Sequence, residues 1–147
     1  MELLVLNEEN ILLDVESENK IAAIKRVGNL LVHNGYVEEK YIEGMQKRNE
    51  DLTTYIGNGV AIPHGMNEYI KYIKYSGIVI AQYPNGVDFG EGNIAYLVIG
   101  IAGKNDDHMK ILSKIAIACQ SMDNVNKLVS SKDKKGIIKI IMESDND

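Results

Sequence analysis

Two stretches of this chain, Gly77–Tyr83 and Ile94–Ile101, are almost wholly apolar and rich in isoleucine and valine. A half-buried strand alternates apolar with polar residues. An unbroken apolar run of this length, with β-branched side chains, reads instead as a strand covered on both faces. Such strands need a layer of other elements on each side, and the rest of the chain offers helical patterns to supply them. Ser17 is placed to cap a helix whose apolar stripe runs through Ile21, Ile24, Gly28 and Leu31, and Asn34-Gly35 supplies its stop. A second helix is expected from about Glu38 to Glu50, burying Tyr41, Ile42 and Met45 and carrying Lys47 and Arg48 in its last turn, where cations suit the helix dipole. A third, from Asp106 to about Ser121, has Met109, Leu112, Ile115, Ala116 and Cys119 on one face, widened by Ile111, Ile117 and Ala118. A short helix near Asp123–Val129 and a last one from Lys132 to Met142 precede an acidic tail, Glu143–Asp147, expected to fray. Asn10–Val15 reads as an entry strand or loop. Pro84-Asn85-Gly86 is a turn signal between Tyr83 and Val87-Asp88-Phe89, which predicts a local hairpin and so some antiparallel pairing. The expected architecture is α/β: a single domain over 1–147, with a mixed β-sheet flanked by helices in two or three layers.

Composition excludes several classes. A chain of 147 residues buries roughly two-thirds of its unfolded surface, enough for one ordinary core. With 45% apolar and 25% charged residues it is neither disordered nor membrane-like. The longest apolar run, Ile94–Ala102, is about half of the roughly 18–20 residues that a bilayer span needs. Met1-Glu2-Leu3-Leu4-Val5 has neither a basic region nor a small-residue cleavage site, so no secretory signal is read there and a cytoplasmic location is expected. The single cysteine, Cys119, excludes an intramolecular disulfide and any multi-cysteine metal site. A net charge of -5 weighs against nucleic-acid binding, which depends on a concentrated basic surface. Gly57-Asn58-Gly59 is no nucleotide loop, because no Gly-Lys-Ser/Thr follows it.

Chemistry concentrates in the run Gly57-Asn58-Gly59-Val60-Ala61-Ile62-Pro63-His64-Gly65. Val60, Ala61 and Ile62 have the composition of a short buried strand, and Pro63 cannot donate to a continuing ladder, so the strand should stop there. One imidazole is then presented at a rigid strand end, and Gly65 lets another molecule come close. By residue type alone a histidine in a turn is the better reading of His64, and only the surrounding pattern reverses it.

The wider window, with Asn49, Ile56, Gly57, Val60, Ala61, Ile62, Pro63, His64 and Gly65 at the required spacing, closely resembles a known signature. It is the phosphohistidine signature of the mannitol/fructose-type enzyme IIA domains of the bacterial sugar phosphotransferase system. The resemblance covers nearly the whole chain and implies the same fold. It makes His64 the acceptor of a phosphoryl group from the phosphocarrier protein HPr and the donor to an enzyme IIB domain. That transfer requires one unprotonated ring nitrogen, with the other held by a hydrogen bond that fixes the tautomer. The same resemblance makes His108, within Asp107-His108-Met109-Lys110-Ile111-Leu112, a hydrogen-bond partner of the phosphate at the start of the third helix. Asp106 and Asp107 are expected to cap that helix. Arg48, otherwise a solvated arginine at a helix end, becomes a clamp on phosphate oxygens. Thr53 and Thr54 could add hydroxyl donors. No metal or other cofactor is implied, and HPr and enzyme IIB are expected as separate chains, enzyme IIB belonging to a membrane permease.

Within the family, Gln82–Gly90 and Leu97–Ala102 look closer to mannitol-type domains than to fructose-type or nitrogen-regulatory ones. A different class of reading is a regulatory module that phosphorylation of His64 merely switches. A third takes His64 and His108 as metal ligands but lacks a clear third ligand. His33 reads as structural at a helix C-terminus. Cys119 lacks the loop context of the phosphocysteine of enzyme IIB domains and reads as core. Tyr69, Tyr72 and Tyr75, interleaved with Lys71 and Lys74, read as a packed segment with solvated lysines.

Overall fold

The computed structural model describes residues 6–143. The expectations about Met1–Val5 and about the tail beyond Glu143 lie outside the described residues. Five strands form one mixed sheet: β1 (Ile11–Leu12), β2 (Tyr55–Gly57), β3 (Val60–Ala61), β4 (Gly77–Asp88) and β5 (Ile94–Ala102), in the order β1-β4-β5-β3-β2. β4 and β5 are antiparallel, β1 runs parallel to β4, and β3 runs parallel to β5.

The two apolar runs are the central strands, and their side chains divide by the two-residue period of a pleated sheet. Val79, Ala81, Tyr83 and Val98 face one layer, formed by helices α1 (Lys20–His33) and α2 (Lys40–Asp51), with Ile24, Val27, Leu31, Tyr41 and Met45 packed on them. Ile78, Ile80, Leu97, Ile99 and Ile101 face the other layer, formed by α3 (Asp107–Cys119), α4 (Met122–Ser130) and α5 (Lys134–Met142). The result is three layers with two cores. Each fully buried aliphatic side chain contributes about 1.5–3 kcal/mol to them.

Several local expectations are corrected. The chain does not reverse at Pro84-Asn85-Gly86: β4 continues through it with an irregular register between Gln82 and Val87. A bulge tolerates a proline, because the missing N–H is not needed there. The reversal comes later, at Gly90-Glu91-Gly92, where all three residues take positive φ and the Phe89 amide donates to the Asn93 carbonyl at 2.8 Å. Ser17 does not cap α1; its hydroxyl donates to the Gly86 carbonyl in that bulge at 2.7 Å, and Asn19 caps the helix by accepting from the Ala22 amide at 2.8 Å. In α2, Tyr41 and Met45 are buried as expected, but Ile42 is only half-buried.

In α3 the buried face is Ile111, Ile115, Ala118 and Cys119, while Met109 is 65% exposed and Ala116 is exposed. The buried stripe is the one that meets the Ile78, Ile80, Ile99 and Ile101 side of the sheet and helices α4 and α5, which leaves Met109 and Ala116 on the solvent side. Neither aspartate caps it: Asp106 makes no side-chain capping bond, and the Asp107 carboxylate accepts from the Ser76 hydroxyl at 2.7 Å. Tyr69 and Tyr72 are half-buried in a 3-10 helix (Asn67–Tyr72), but Tyr75 is 68% exposed. The sequence reading did not anticipate β2, which pairs antiparallel with β3 through a tight turn with positive φ at Asn58 and Gly59.

Candidate active site

β3 places the histidine. Val60 and Ala61 pair in parallel with Leu97 and Val98 of β5, and the chain then leaves the strand at Ile62 yet stays beside β5. The Ile101 amide donates to the Pro63 carbonyl at 2.9 Å, and His64 forms an isolated bridge with Ile101. The imidazole is therefore fixed by a central strand rather than by a free loop.

The His64 side chain is 7% exposed, with Nδ1 2.7 Å from the Ile62 carbonyl oxygen. A carbonyl oxygen can only accept, so Nδ1 carries the proton and the lone pair is on Nε2. Burial, the largest influence, pushes the His64 pKa below its ordinary 6.5; the Ile62 carbonyl opposes this, and the charges of Arg48 and His108 add to the lowering. A neutral ring with a nucleophilic Nε2 follows at neutral pH.

The Ile62 carbonyl is itself held in place. The Ile62 amide donates to the Thr54 carbonyl at 2.9 Å, and Asn49 Oδ1 accepts both the Thr54 amide, at 2.9 Å, and the Thr54 hydroxyl, at 2.7 Å. Asn49, the first residue of the signature window, thus acts on the histidine through a relay of hydrogen bonds. What Asn49 supplies at this position is a buried oxygen acceptor.

Arg48, His64 and His108 line one cavity of about 370 Å³, together with Asn67, Glu68 and Leu112. His108, in the first turn of α3, is half-buried, and its ring centroid is 5.2 Å from that of His64 with the planes 57° apart. Burial and the Arg48 charge lower the His108 pKa from 6.5 as well. Arg48 lies in the last turn of α2 and donates Nη1 to the Leu52 carbonyl at 2.5 Å, which leaves other N–H groups of the guanidinium to meet an anion. One nucleophilic nitrogen beside a fixed cation and a second imidazole can accept a phosphoryl group and spread its charge.

The structure brings together His64, His108 and Arg48, but neither Thr53 nor Thr54 lines the cavity. Thr54 is buried with its hydroxyl spent on Asn49, and the exposed Thr53 accepts from the Tyr55 amide at 3.3 Å. Glu68 and Asn67 at the mouth of the cavity escaped the sequence reading, their only signal being closeness to Pro63-His64-Gly65. Cys119 is buried at the end of α3, with its thiol pushed up to about 11, and His33 is exposed as the last residue of α1. Among the described residues no three His, Cys, Asp or Glu side chains gather where they could hold a metal ion, and no helix is long and apolar enough to cross a membrane.

A mixed sheet between helical layers, with one activated imidazole at a strand end, describes a phosphoryl-carrier domain. The family model for the phosphoenolpyruvate-dependent sugar phosphotransferase system, EIIA 2, matches residues 4–144, and the chain belongs to that family. It is 48% identical, over 97% of its length and 99% of the relative's, to the mannitol-specific phosphotransferase enzyme IIA component of Geobacillus stearothermophilus. The crystal structure of mannitol enzyme IIA from Escherichia coli superposes with a TM-score of 0.87 at 34% identity, covering 93% of this chain and 99% of that one. Mannitol enzyme IIA from the same organism, in complex with phosphorylated mannitol enzyme IIB, gives a TM-score of 0.90 at 33% identity, covering 95% and 98%.

Proposed function

We propose that this chain, as a single enzyme IIA domain in the cytoplasm, carries a phosphoryl group on His64 from HPr to a mannitol enzyme IIB. The observation that carries the reading is the hydrogen bond from Nδ1 to the Ile62 carbonyl, which leaves the Nε2 lone pair in a cavity shared with Arg48 and His108. Identity of 48% to a mannitol-specific enzyme IIA supports the choice of sugar, and the complex of a relative with phosphorylated enzyme IIB supports the choice of acceptor.

In the proposed step, the Nε2 lone pair forms a bond to the phosphorus carried by HPr. The donor P–N bond breaks, and its electron pair returns to the donor imidazole. The proton on Nδ1 stays there, shared with the Ile62 carbonyl, so the ring that becomes positively charged is stabilised by an oxygen dipole. Arg48 and His108 donate to the equatorial oxygens as charge spreads over them. The reverse arrangement delivers the group to a nucleophile of enzyme IIB.

The test is incubation with enzyme I, HPr and labelled phosphoenolpyruvate, followed by a chase with mannitol enzyme IIB. Wild type should take up acid-labile, alkali-stable label and lose it to mannitol enzyme IIB faster than to a fructose enzyme IIB. His64→Ala should take up none. Full label on folded His64→Ala would overturn the assignment.

A further inference from the structure

The residue that follows the histidine is tied down by a side chain from a different layer. The Gly65 amide donates to the Tyr41 hydroxyl oxygen at 2.8 Å, and the Tyr41 hydroxyl donates to the Ile101 carbonyl at 2.9 Å. Tyr41 is 1% exposed, in the first turn of α2, and burial pushes its phenol up to about 12, so it remains a donor throughout the physiological range. Its partners are informative. Gly65 adjoins the reacting imidazole, and Ile101 is the residue that bridges to His64 and donates to Pro63. From Ile101 the chain passes through Ala102 and Gly103 to the helix that carries His108. A single hydroxyl thus spans both segments on which the imidazoles are mounted. A Cβ at position 65 would lie 2.5 Å from Cε1 of the Tyr41 ring, so the small residue after the histidine is required by this tyrosine as well as by any incoming partner.

We propose that Tyr41 is a positioning residue of phosphoryl transfer: by tying Gly65 to Ile101, its hydroxyl sets the direction in which Nε2 of His64 meets the incoming phosphorus. The proposal rests on the reading of His64 as the phosphoryl carrier. Transfer between two nitrogens requires the entering and leaving atoms to be roughly in line with phosphorus, and a misplacement on the order of 1 Å can cost about 100-fold in rate. Asn49 and Thr54 hold the chain on the Ile62 side of the ring, and Tyr41 holds it on the Gly65 side. Removing the hydroxyl frees only the second side.

The experiment compares Tyr41→Phe with Tyr83→Phe, a second buried tyrosine whose hydroxyl bonds to Glu18 away from the cavity. Initial rates of phosphorylation by HPr are measured over a range of HPr concentrations. The imidazole nitrogens of His64 are followed by NMR in the same proteins. Tyr41→Phe should lower kcat roughly 10- to 100-fold with KM for HPr within about two-fold, and should displace the His64 nitrogen signals. It should still label fully on His64 at long times. Tyr83→Phe should lose stability while keeping wild-type kcat and His64 signals. Should Tyr41→Phe melt near the assay temperature, kcat and the His64 signals are read below its melting transition, where the same loss and displacement are expected. A wild-type kcat for Tyr41→Phe, or a loss in both tyrosine variants that merely follows their stability, overturns the positioning role and leaves the carrier reading intact. Absence of label on His64 in the wild type overturns both.

Discussion

His64 is set up by its neighbours in space to be neutral and nucleophilic at one nitrogen. Its pKa lies below 6.5, so lowering the pH through 6.5 leaves most of the acceptor unprotonated, and the rate of phosphate uptake should fall only below that value. Arg48 and His108 each contribute to the lowering, which gives a two-part expectation for their variants. Arg48→Gln and His108→Ala should slow transfer on the order of 10- to 1000-fold by removing charge stabilisation at the moving phosphoryl group. Each should also move the acid limb of the pH–rate profile to higher pH, because the repulsion that disfavours protonated His64 is gone. Unchanged rates, or an acid limb moved to lower pH, would contradict these roles. Pro63-His64-Gly65 made the histidine legible at this scale. Tyr41 was legible only as an apolar contact, since its hydroxyl partners lie 24 and 60 residues away.

Elements place the second histidine. The segment from β5 into α3 is fixed by the Ser76 hydroxyl, which donates to the Asp107 carboxylate and accepts the Lys104 amide at 2.9 Å. It is also fixed by the close approach of Gly103, where a Cβ would lie 2.4 Å from His108 Cα and 2.8 Å from its backbone nitrogen. Backbone atoms cannot yield as a flexible side chain can. Gly103→Ala should therefore cost about 1–3 kcal/mol and slow transfer by displacing His108, as read from denaturant midpoints and phosphorylation rates. A variant as stable and as fast as wild type would show that α3 has slack. The element boundaries that the sequence misjudged share one cause. Ser17 and Asn19 are both good capping residues, and Pro84-Asn85-Gly86 and Gly90-Glu91-Gly92 both carry turn chemistry. Which of each pair closes the element is set by distant partners: Ser17 is taken by the Gly86 carbonyl, and β4 goes on pairing with β5 through Val87 and Asp88.

Across the whole molecule, two carboxylates and the two cavity imidazoles are shifted downward, whereas buried Tyr41 and Cys119 are shifted upward. Glu18 is held below the usual carboxylate range first by its hydrogen bond to Arg26, and Glu43, at about 2, first by its bond from Tyr69. A carboxylate with a depressed pKa contributes stability above its unfolded value near 4.5, and that contribution is lost as pH falls through the folded value. His64 and His108, lowered from 6.5 by burial, bind fewer protons folded than unfolded, so they too destabilise the fold as pH falls below 6.5. The melting temperature should be flat from neutrality to about pH 9, decline above that as the unfolded chain ionises the thiol and phenol that the fold keeps protonated, decline also from about pH 6.5 downward, and fall more steeply below about pH 4.5. A melting temperature that rises on acidification between neutrality and about pH 5 would contradict the buried, neutral state of both imidazoles.

Local sequence was enough for the two central strands, for all five α-helices within a few residues, and for singling out His64 as the candidate phosphoryl acceptor. Each of these is written in local patterns: β-branched apolar runs, a stripe of helical period, and a proline-histidine-glycine end to a short strand. Only the tertiary structure decided which face of α3 is buried, that Thr54 serves Asn49 rather than the cavity, and that Tyr41 and Glu68 belong near the site. Those outcomes depend on contacts between residues far apart in the chain, where a hydroxyl or a carboxylate finds its partner only after the layers have packed. Hydrophobic period specifies elements, whereas the direction of a polar side chain is settled by the last atoms to come within hydrogen-bonding distance.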